Sequence, residues 1–443
     1  GSSFDNENGY MYVSTSFDRQ LGISFSDRKR AAIETDYRYN TTKMCNEMNT
    51  ENGYQCIADI SQADWRDRSD GTLGGVFLEA SQNGTQFWYD ESGLRNDWRD
   101  NEERFGVNSA QWEDLKIPED RMSSAIKFDY DFNSSLSGYF QVQYAQNDSE
   151  NVKSPEDEYE GAYALVLDPI TGEPSRVAPG YIPINNPYVP QELLDANPYK
   201  NRIYWDRRFG EVGEIVNDNK RTTLRTWAGL QGTVFNDQWD WDVSVGFGQF
   251  KQKQNRYNEL NTFHVNNALQ AEYAQDGVTI QCKDEAARAE GCVPLNLFGI
   301  GSITPEAADY IRANPTITTD IEQFNVLGYM TGDLYELPAG TVTAVFGGEF
   351  RRDSQKVKTS KEQEFGGITF NVVPTFSGEV DVSELFAEAA IPLLKDAPGA
   401  KNLTAELSAR IADYSWSNTG LVGSYKVGLI WEPIAGYAVR ANY

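Results

Sequence analysis

A period of two runs through much of this sequence and constrains the fold more than any other feature. From Trp239 onward, Trp239, Trp241, Val243, Val245 and Phe247 alternate with Asp240, Asp242, Ser244, Gly246 and Gly248. Successive side chains of an extended strand point to opposite faces, so such a segment has one apolar and one polar face. The preceding segment places Leu224, Thr226, Ala228, Leu230 and Val234 on one side and Arg221, Thr223, Arg225 and Gln231 on the other. Later segments repeat the pattern: Val342, Ala344, Phe346 and Phe350 against Thr341, Thr343, Glu349 and Arg351, then Leu403 to Ile411 and Leu421 to Trp431. Two earlier strands read Ile126, Phe128, Tyr130, Phe132 and Phe140, Val142, Tyr144.

Short turns join these strands in pairs. Asn133-Ser134-Ser135, Asn236-Asp237-Gln238, Pro338-Ala339-Gly340 and Glu432 to Gly436 supply residues suited to turn dihedrals. Between the hairpins lie long polar segments over about 27–120, 149–219, 257–320 and 358–378. One end of the strands thus carries tight turns and the other long loops. From Tyr10 we count about 11 strands, many longer than the usual mode of about 5–6 residues. A soluble β-sandwich would need shorter strands, and loops of about 60–95 residues would be exceptional in it. An antiparallel transmembrane β-barrel fits better: apolar positions meet lipid, polar positions meet the lumen, and closure removes open edges. Tyr10, Tyr12, Trp239, Trp431 and Tyr437, near strand ends, suit interfacial aromatic girdles.

Charge narrows the function. The 39 Lys+Arg against 66 Asp+Glu give a formal charge of −27, the wrong sign for holding nucleic-acid phosphates. The mean hydropathy of −0.57 suits a barrel whose loops and inner face meet water. No apolar run is long enough for a membrane-spanning helix, and the chain opens without a signal-peptide pattern. His264 is the only histidine, so most histidine-based catalysis and metal binding lacks material, and in its loop it reads as a solvated or packed side chain. No G-x-S-x-G, H-E-x-x-H or phosphate-loop motif occurs, so an enzyme is disfavoured.

Specific stretches carry a resemblance. Gly332-Asp333-Leu334-Tyr335-Glu336-Leu337-Pro338-Ala339-Gly340, followed by Phe346-Gly347-Gly348-Glu349-Phe350-Arg351, resembles a hairpin of TonB-dependent outer-membrane receptors. So does Gly378-Glu379-Val380-Asp381-Val382, running on to Ile391-Pro392-Leu393-Leu394, and then Ala409 to Ser415 and Gly428 to Pro433. The loop Cys292-Val293-Pro294-Leu295-Asn296-Leu297-Phe298-Gly299, with Ile303-Thr304-Pro305-Glu306-Ala307, is similar to one of a receptor subgroup common in gram-negative scavengers of glycans and other scarce nutrients. The match covers about 290–443 closely and the first half in layout. The resemblance implies a 22-stranded barrel filled by an N-terminal plug that contacts TonB. Residues 1–443 are then expected to be the central part of that barrel, about half of it, with plug and C-terminal strands outside this sequence. Tyr10–Phe25 and Gly436–Tyr443 are expected to pair with strands outside it too, and Phe4 to Gly9 reads as a periplasmic hairpin turn.

The loops hold the remaining candidates. Cys45 and Cys56, and Cys282 and Cys292, are spaced too widely for zinc pairs and read better as two local disulfides, which implies an oxidising compartment. Trp65, Trp88, Tyr89, Trp98 and Trp112, with Phe77 and Phe87, crowd the first loop. Such rings beside carboxylates and guanidiniums suit sugar rings or an aromatic chelate, and equally a small loop core. Acidic groups around Asp64, Asp67, Asp70, around Asp97, Asp100, Glu102, Glu103 and at Glu156–Glu160 leave loop-bound calcium open, although solvated charge is the plainer reading. No other cofactor is expected. Thr304 with Pro305, and Pro190, mark short helix starts.

The functional expectation is an outer-membrane receptor for TonB-energised uptake of a large or scarce solute such as a glycan or ferric siderophore, with a passive porin or surface ligand-binding barrel as the alternative. Its expected partners are TonB through the plug, outer-membrane lipid, an extracellular small molecule or oligosaccharide, and surface lipoproteins.

Overall fold

The computed structural model describes residues 1–32, 38–39, 60–61, 71–78, 86–98, 106–236, 238–416 and 418–443. Among them one large antiparallel sheet dominates. Its strands are β1 (Ser2–Phe4), β2 (Gly9–Gln20), β3 (Glu119–Asn133), β4 (Leu136–Lys153), β5 (Ile215–Val234) and β6 (Trp239–Tyr257). It continues with β7 (Thr316–Leu337), β8 (Gly340–Thr359), β9 (Phe376–Ala397), β10 (Ala400–Tyr414), β11 (Leu421–Ile434) and β12 (Tyr437–Asn442). The twelve strands pair strictly in chain order, and β1 and β12 are the two edges, not bonded to one another. The sheet is an open arc of a barrel wall. It holds one strand more than the sequence pattern suggests, because Ser2–Phe4 pairs with Gly9–Met11 through a hairpin at Asp5-Asn6-Glu7. All three of those turn residues take positive φ, at 53°, 52° and 73°.

Register lines the apolar positions up across strands. Phe140 lies opposite Phe128 and Ala228, and Ala228 opposite Val245, which faces Val326. On the same face Val243 and Leu385 stay 49% and 66% exposed, the pattern of a surface meant for lipid rather than water. The other face carries Asp129, Tyr139, Ser244, Glu349 and Glu384, but also Trp227, Leu327 and Phe386. Some of these rings cover glycines on neighbouring strands. A Cβ on Gly229 would come within 2.3 Å of the Tyr139 ring, and one on Gly347 within 2.2 Å of Phe386. The missing side chains make room for aromatic packing that a regular polar alternation would not provide.

β7 and β9 are 22 residues long, twice the 9–11 needed to cross a bilayer. Their polar upper halves therefore stand above the membrane, and strands run into segments that read as loops from polarity alone. The loops proper are 21–118, 154–214, 258–315 and 360–375, with short strand pairs inside several of them. Pro392 falls at a register irregularity of β9, where a missing backbone donor costs least. Among the described residues five short α-helices decorate the loops: α1 (Gln191–Ala196), α2 (Thr262–Leu269), α3 (Glu285–Ala289), α4 (Pro305–Ile311) and α5 (Lys361–Phe365). Thr304 caps α4, its hydroxyl accepting from the Ala307 amide at 3.2 Å, with Pro305 at the first helical position. Pro190 is itself the N-cap of α1 and supplies no side-chain bond.

Candidate functional site

The long loops do not lie separately on the surface. Phe77 and Leu78 from the first, Ile203, Trp205 and Phe209 from the second, and Leu260, Leu269, Leu297 and Ile311 from the third share one buried core. A five-stranded mini-sheet backs it, built from Asp157–Tyr159, Trp205–Arg208, Val76–Phe77, Phe87–Asp90 and Gly93–Arg95. The fourth loop joins through backbone bonds: Gly367 N–H donates to Leu165 at 2.9 Å, and Thr262 N–H donates to Gly367 at 2.9 Å. Each loop alone buries too little apolar surface to order itself. Together they make a cap with a core of its own.

Arg207 ties the cap together. Its guanidinium is fully buried and donates to the carbonyls of Leu73 (3.1 Å), Asn296 (3.2 Å) and Gly299 (3.0 Å), to Ser302 Oγ (3.1 Å) and to Glu211 (2.6 Å). Burial pushes its pKa down to about 10, while Glu211 opposes that shift. The next residue, Arg208, pairs with Asp157 at 2.9 Å, donates to the Pro155 carbonyl at 2.8 Å and lies 5.9 Å from the Trp112 ring. Nothing in the local sequence marks this Arg-Arg pair as interior, because Arg is ordinarily exposed. Only the convergence of three loops gives Arg207 enough acceptors.

Under the cap, the inner face at the tops of β5 and β6 is lined with amides. Arg256 Nη1 donates to Asn217 at 3.0 Å, and Gln252 Nε2 donates to Asn219 at 3.3 Å. Asn217 and Asn219 are buried although their strand face points into the lumen, whereas Arg225, lower on the same face, is exposed. The cap therefore closes over the mouth of the arc. Glu259, wholly buried, pairs with Arg256 and accepts from the Thr369 hydroxyl of the fourth loop. Arg256 also lies 4.1 Å from the Phe370 ring centre. Burial first, and then Glu259, pushes Glu156 up to about 8, and burial first, and then Asp157 and Asp206, pushes Glu158 up to about 7. The floor of the cap is thus acidic and partly protonated near neutrality.

The aromatic candidates separate. Trp88 and Trp98 pack on each other, ring centres 5.7 Å apart, in a small core with Val76, and Trp88 Nε1 donates to Asp97 at 3.0 Å. Tyr89 is half-buried edge-on against Phe77, which stacks on Phe298, and burial raises its phenol pKa. Trp112 stays partly exposed beside Arg208. Trp65 lies outside the described residues, as do Cys45, Cys56, Asp64, Asp67, Asp70, Asp100, Glu102 and Glu103. Cys282 and Cys292 form a disulfide, with Cα atoms 6.2 Å apart, that pins α3 against the third loop. His264 sits in α2, stacked on Tyr310 with its Nδ1 2.6 Å from the Tyr310 carbonyl. Among the described residues no three His, Cys, Asp or Glu side chains are grouped so as to hold a metal ion. The amide belt, Arg207 and the meeting of the Glu156–Glu160 run with Glu259 escaped the sequence pattern, because each is assembled from distant strands or loops.

A family model described as TonB dependent receptor-like, beta-barrel matches residues 171–443. Among solved structures the chain is similar to the open form of the ferric-catecholate import receptor Fiu from E. coli K12, at 9% identity and a TM-score of 0.28, over 76% of this chain and 49% of that one. It is also similar to BauA, the ferric preacinetobactin receptor from Acinetobacter baumannii, at 10% identity and a TM-score of 0.26, over 76% of this chain and 46% of that one. The chain therefore spans about half the length of these structures. No curated protein matches it. More than half of the chain falls within the family model, and that portion holds β5 to β12 of the open arc. The chain belongs to the TonB-dependent receptor β-barrel family.

Proposed function

We propose that this chain is barrel wall and ligand gate of an outer-membrane receptor that takes up a large or scarce solute with energy transmitted by TonB through a plug. The observation that carries the reading is the cap: loops fused by one hydrophobic core and closed over a lumen mouth lined with amides. A gate of this kind suits capture followed by controlled entry, whereas passive diffusion is served by an open mouth. The preferred ligand class is a glycan. Amide and guanidinium groups of Asn217, Asn219, Gln252, Gln254 and Arg256 match sugar hydroxyls, and Trp112 beside Arg208 offers a partly exposed ring at the cap surface. Trp88 and Trp98 support the cap core in this reading, and Tyr89 flanks it. Surface lipoproteins are further candidate partners at the cap, and loop-bound calcium a candidate stabiliser of its acidic turns.

Uptake of radiolabelled oligosaccharides by a deletion strain, restored by the wild-type gene only when TonB is present, is the expected result. Growth and uptake that persist without TonB would support the passive-barrel alternative. Uptake of ferric chelates, with none of oligosaccharides, would replace the glycan assignment.

A further inference from the structure

The inner face of β6 carries two glycines one pleat apart, Gly246 and Gly248, halfway down the wall. Glycine inside a strand weakens it and marks places where something approaches the backbone closely. At Gly246 the structure supplies the reason, since a Cβ there would stand 2.2 Å from the Asn325 carboxamide. At Gly248 a Cβ would meet no atom within 4 Å, although the backbone is extended and could carry any side chain. The described residues leave that space open.

Around the two glycines the wall forms a notch of about 210 Å³. Arg225 and Trp227 stand on one side, from β5, and Gln323 and Asn325 on the other, from β7, with Ser244 below. Gln141 lies opposite Trp227 and Gln143 opposite Arg225, so the amides continue onto β4. The Trp227 indole and the amides of Gln141, Gln143 and Asn325 find no hydrogen-bond partner among the described residues. Arg225 is exposed, its guanidinium 5.9 Å from the Trp227 ring centre, and among the described residues no carboxylate pairs with it. Its neighbours on this face, Gln143, Gly248, Thr223 and Trp227, carry no negative charge. The first acid along its row, Asp353, lies three strands away and is already held by Arg351 at 2.9 Å and by Gln323 at 2.7 Å.

A flat indole can take the apolar face of a pyranose, free amides its hydroxyls, and a guanidinium a carboxylate in two parallel bonds. We propose that the notch is a subsite for an acidic sugar residue, a uronic acid stacked on Trp227 with its carboxylate on Arg225. The inference rests on the glycan reading above and narrows it to glycans that carry carboxylates. Eight residues separate Gly248 from Arg256 on β6, roughly 26 Å along the strand and about 20 Å in depth at the usual tilt. The notch therefore serves a sugar that has already passed the cap and the amide belt.

The test uses the full receptor purified from its outer membrane, with digalacturonate as the probe and neutral galactobiose as the control. Calorimetry should show digalacturonate bound at least about tenfold more tightly, the lower end for a hydrogen bond to a charged group. Arg225→Gln should weaken digalacturonate about tenfold to a hundredfold and leave galactobiose unchanged. Gly248→Val should fill the notch and abolish binding, while heat-modifiable gel migration verifies an intact barrel. The thiol of Gly248→Cys should react with a sulfonated thiosulfonate reagent, with wild type as labelling control, and digalacturonate should protect it. Equal affinity of wild type and Arg225→Gln for digalacturonate would overturn the proposal. A Gly248→Cys thiol beyond the reagent's reach would give the notch to the plug and overturn it as well. Cellular uptake of oligosaccharides without digalacturonate binding would sink this subsite alone, whereas uptake of ferric chelates alone would sink the glycan reading and the subsite's assignment with it.

Discussion

Arg207 and Glu211 form a 2.6 Å ion pair in which the arginine has no exposure at all, held by carbonyls from two other loops. The pair is the point where loops distant in sequence become one body. Removing the guanidinium leaves Glu211 and the Leu73 carbonyl without that donor, while Ser302 still donates towards the Asn296 and Gly299 carbonyls. Arg207→Ala is expected to destabilise the cap by about 3–5 kcal/mol, and Glu211→Gln by less, because the neutral amide still accepts. Limited proteolysis should show cleavage in the loops of Arg207→Ala while the strands of the sheet stay intact. Wild-type resistance in that variant would remove Arg207 as the link between loops.

Acidity on the cap floor makes its stability depend on pH. Glutamate ionises near 4.5 in the unfolded chain, but the cap holds Glu156 up to about 8 and Glu158 up to about 7. Burial is the main cause at both; Glu259 and then Glu158 add to it at Glu156, where Arg256 opposes the shift, and Asp157 and then Asp206 add to it at Glu158. Between these limits the folded cap binds protons that the unfolded chain has released. Its stability from this source is full below about 4.5 and is lost as pH rises through about 7–8. Loop proteolysis should therefore be faster at about pH 9 than at about pH 5.5, and Glu156→Gln/Glu158→Gln should flatten the difference. A rate that falls with rising pH would contradict the burial of these groups.

The disulfide between Cys282 and Cys292 closes a loop of 10 residues. Replacing both cysteines by Ala should destabilise the third loop by about 2–3 kcal/mol. A non-reduced digest should yield peptides joined through Cys282 and Cys292, and we expect a second linkage between Cys45 and Cys56. Mass spectrometry finding all four as free thiols would refute both.

The two faces of the sheet should respond differently to charge. Val243 and Leu407 stand on the apolar face and Ser244 and Ser408 on the inner one. Val243→Arg or Leu407→Arg is expected to cost about 2–4 kcal/mol in a membrane folding assay if near the midplane, and Arg at Ser244 or Ser408 much less. Equal costs at both kinds of position would break the assignment of faces.

The alternation from Trp239 to Phe247, the turn residues between strands and the long polar intervals were enough to place an antiparallel membrane sheet with loops at one end. These are local properties: a strand's two faces are written every second residue, and turn dihedrals depend on one or two side chains. The capping of α4 by Thr304 and the pairing of Cys282 with Cys292 were legible for the same reason. What tertiary structure decided lies between distant segments. Trp88 and Trp98 became a core pair because Val76 and the mini-sheet closed over them. Arg207 became an interior residue because three loops brought it acceptors. Lys220 met Lys253, and Asn217 met Arg256, through a register that no single strand contains. Burial and charge compensation are set by neighbours in space, and in a sheet of long strands those neighbours arrive from up to a hundred residues away or more.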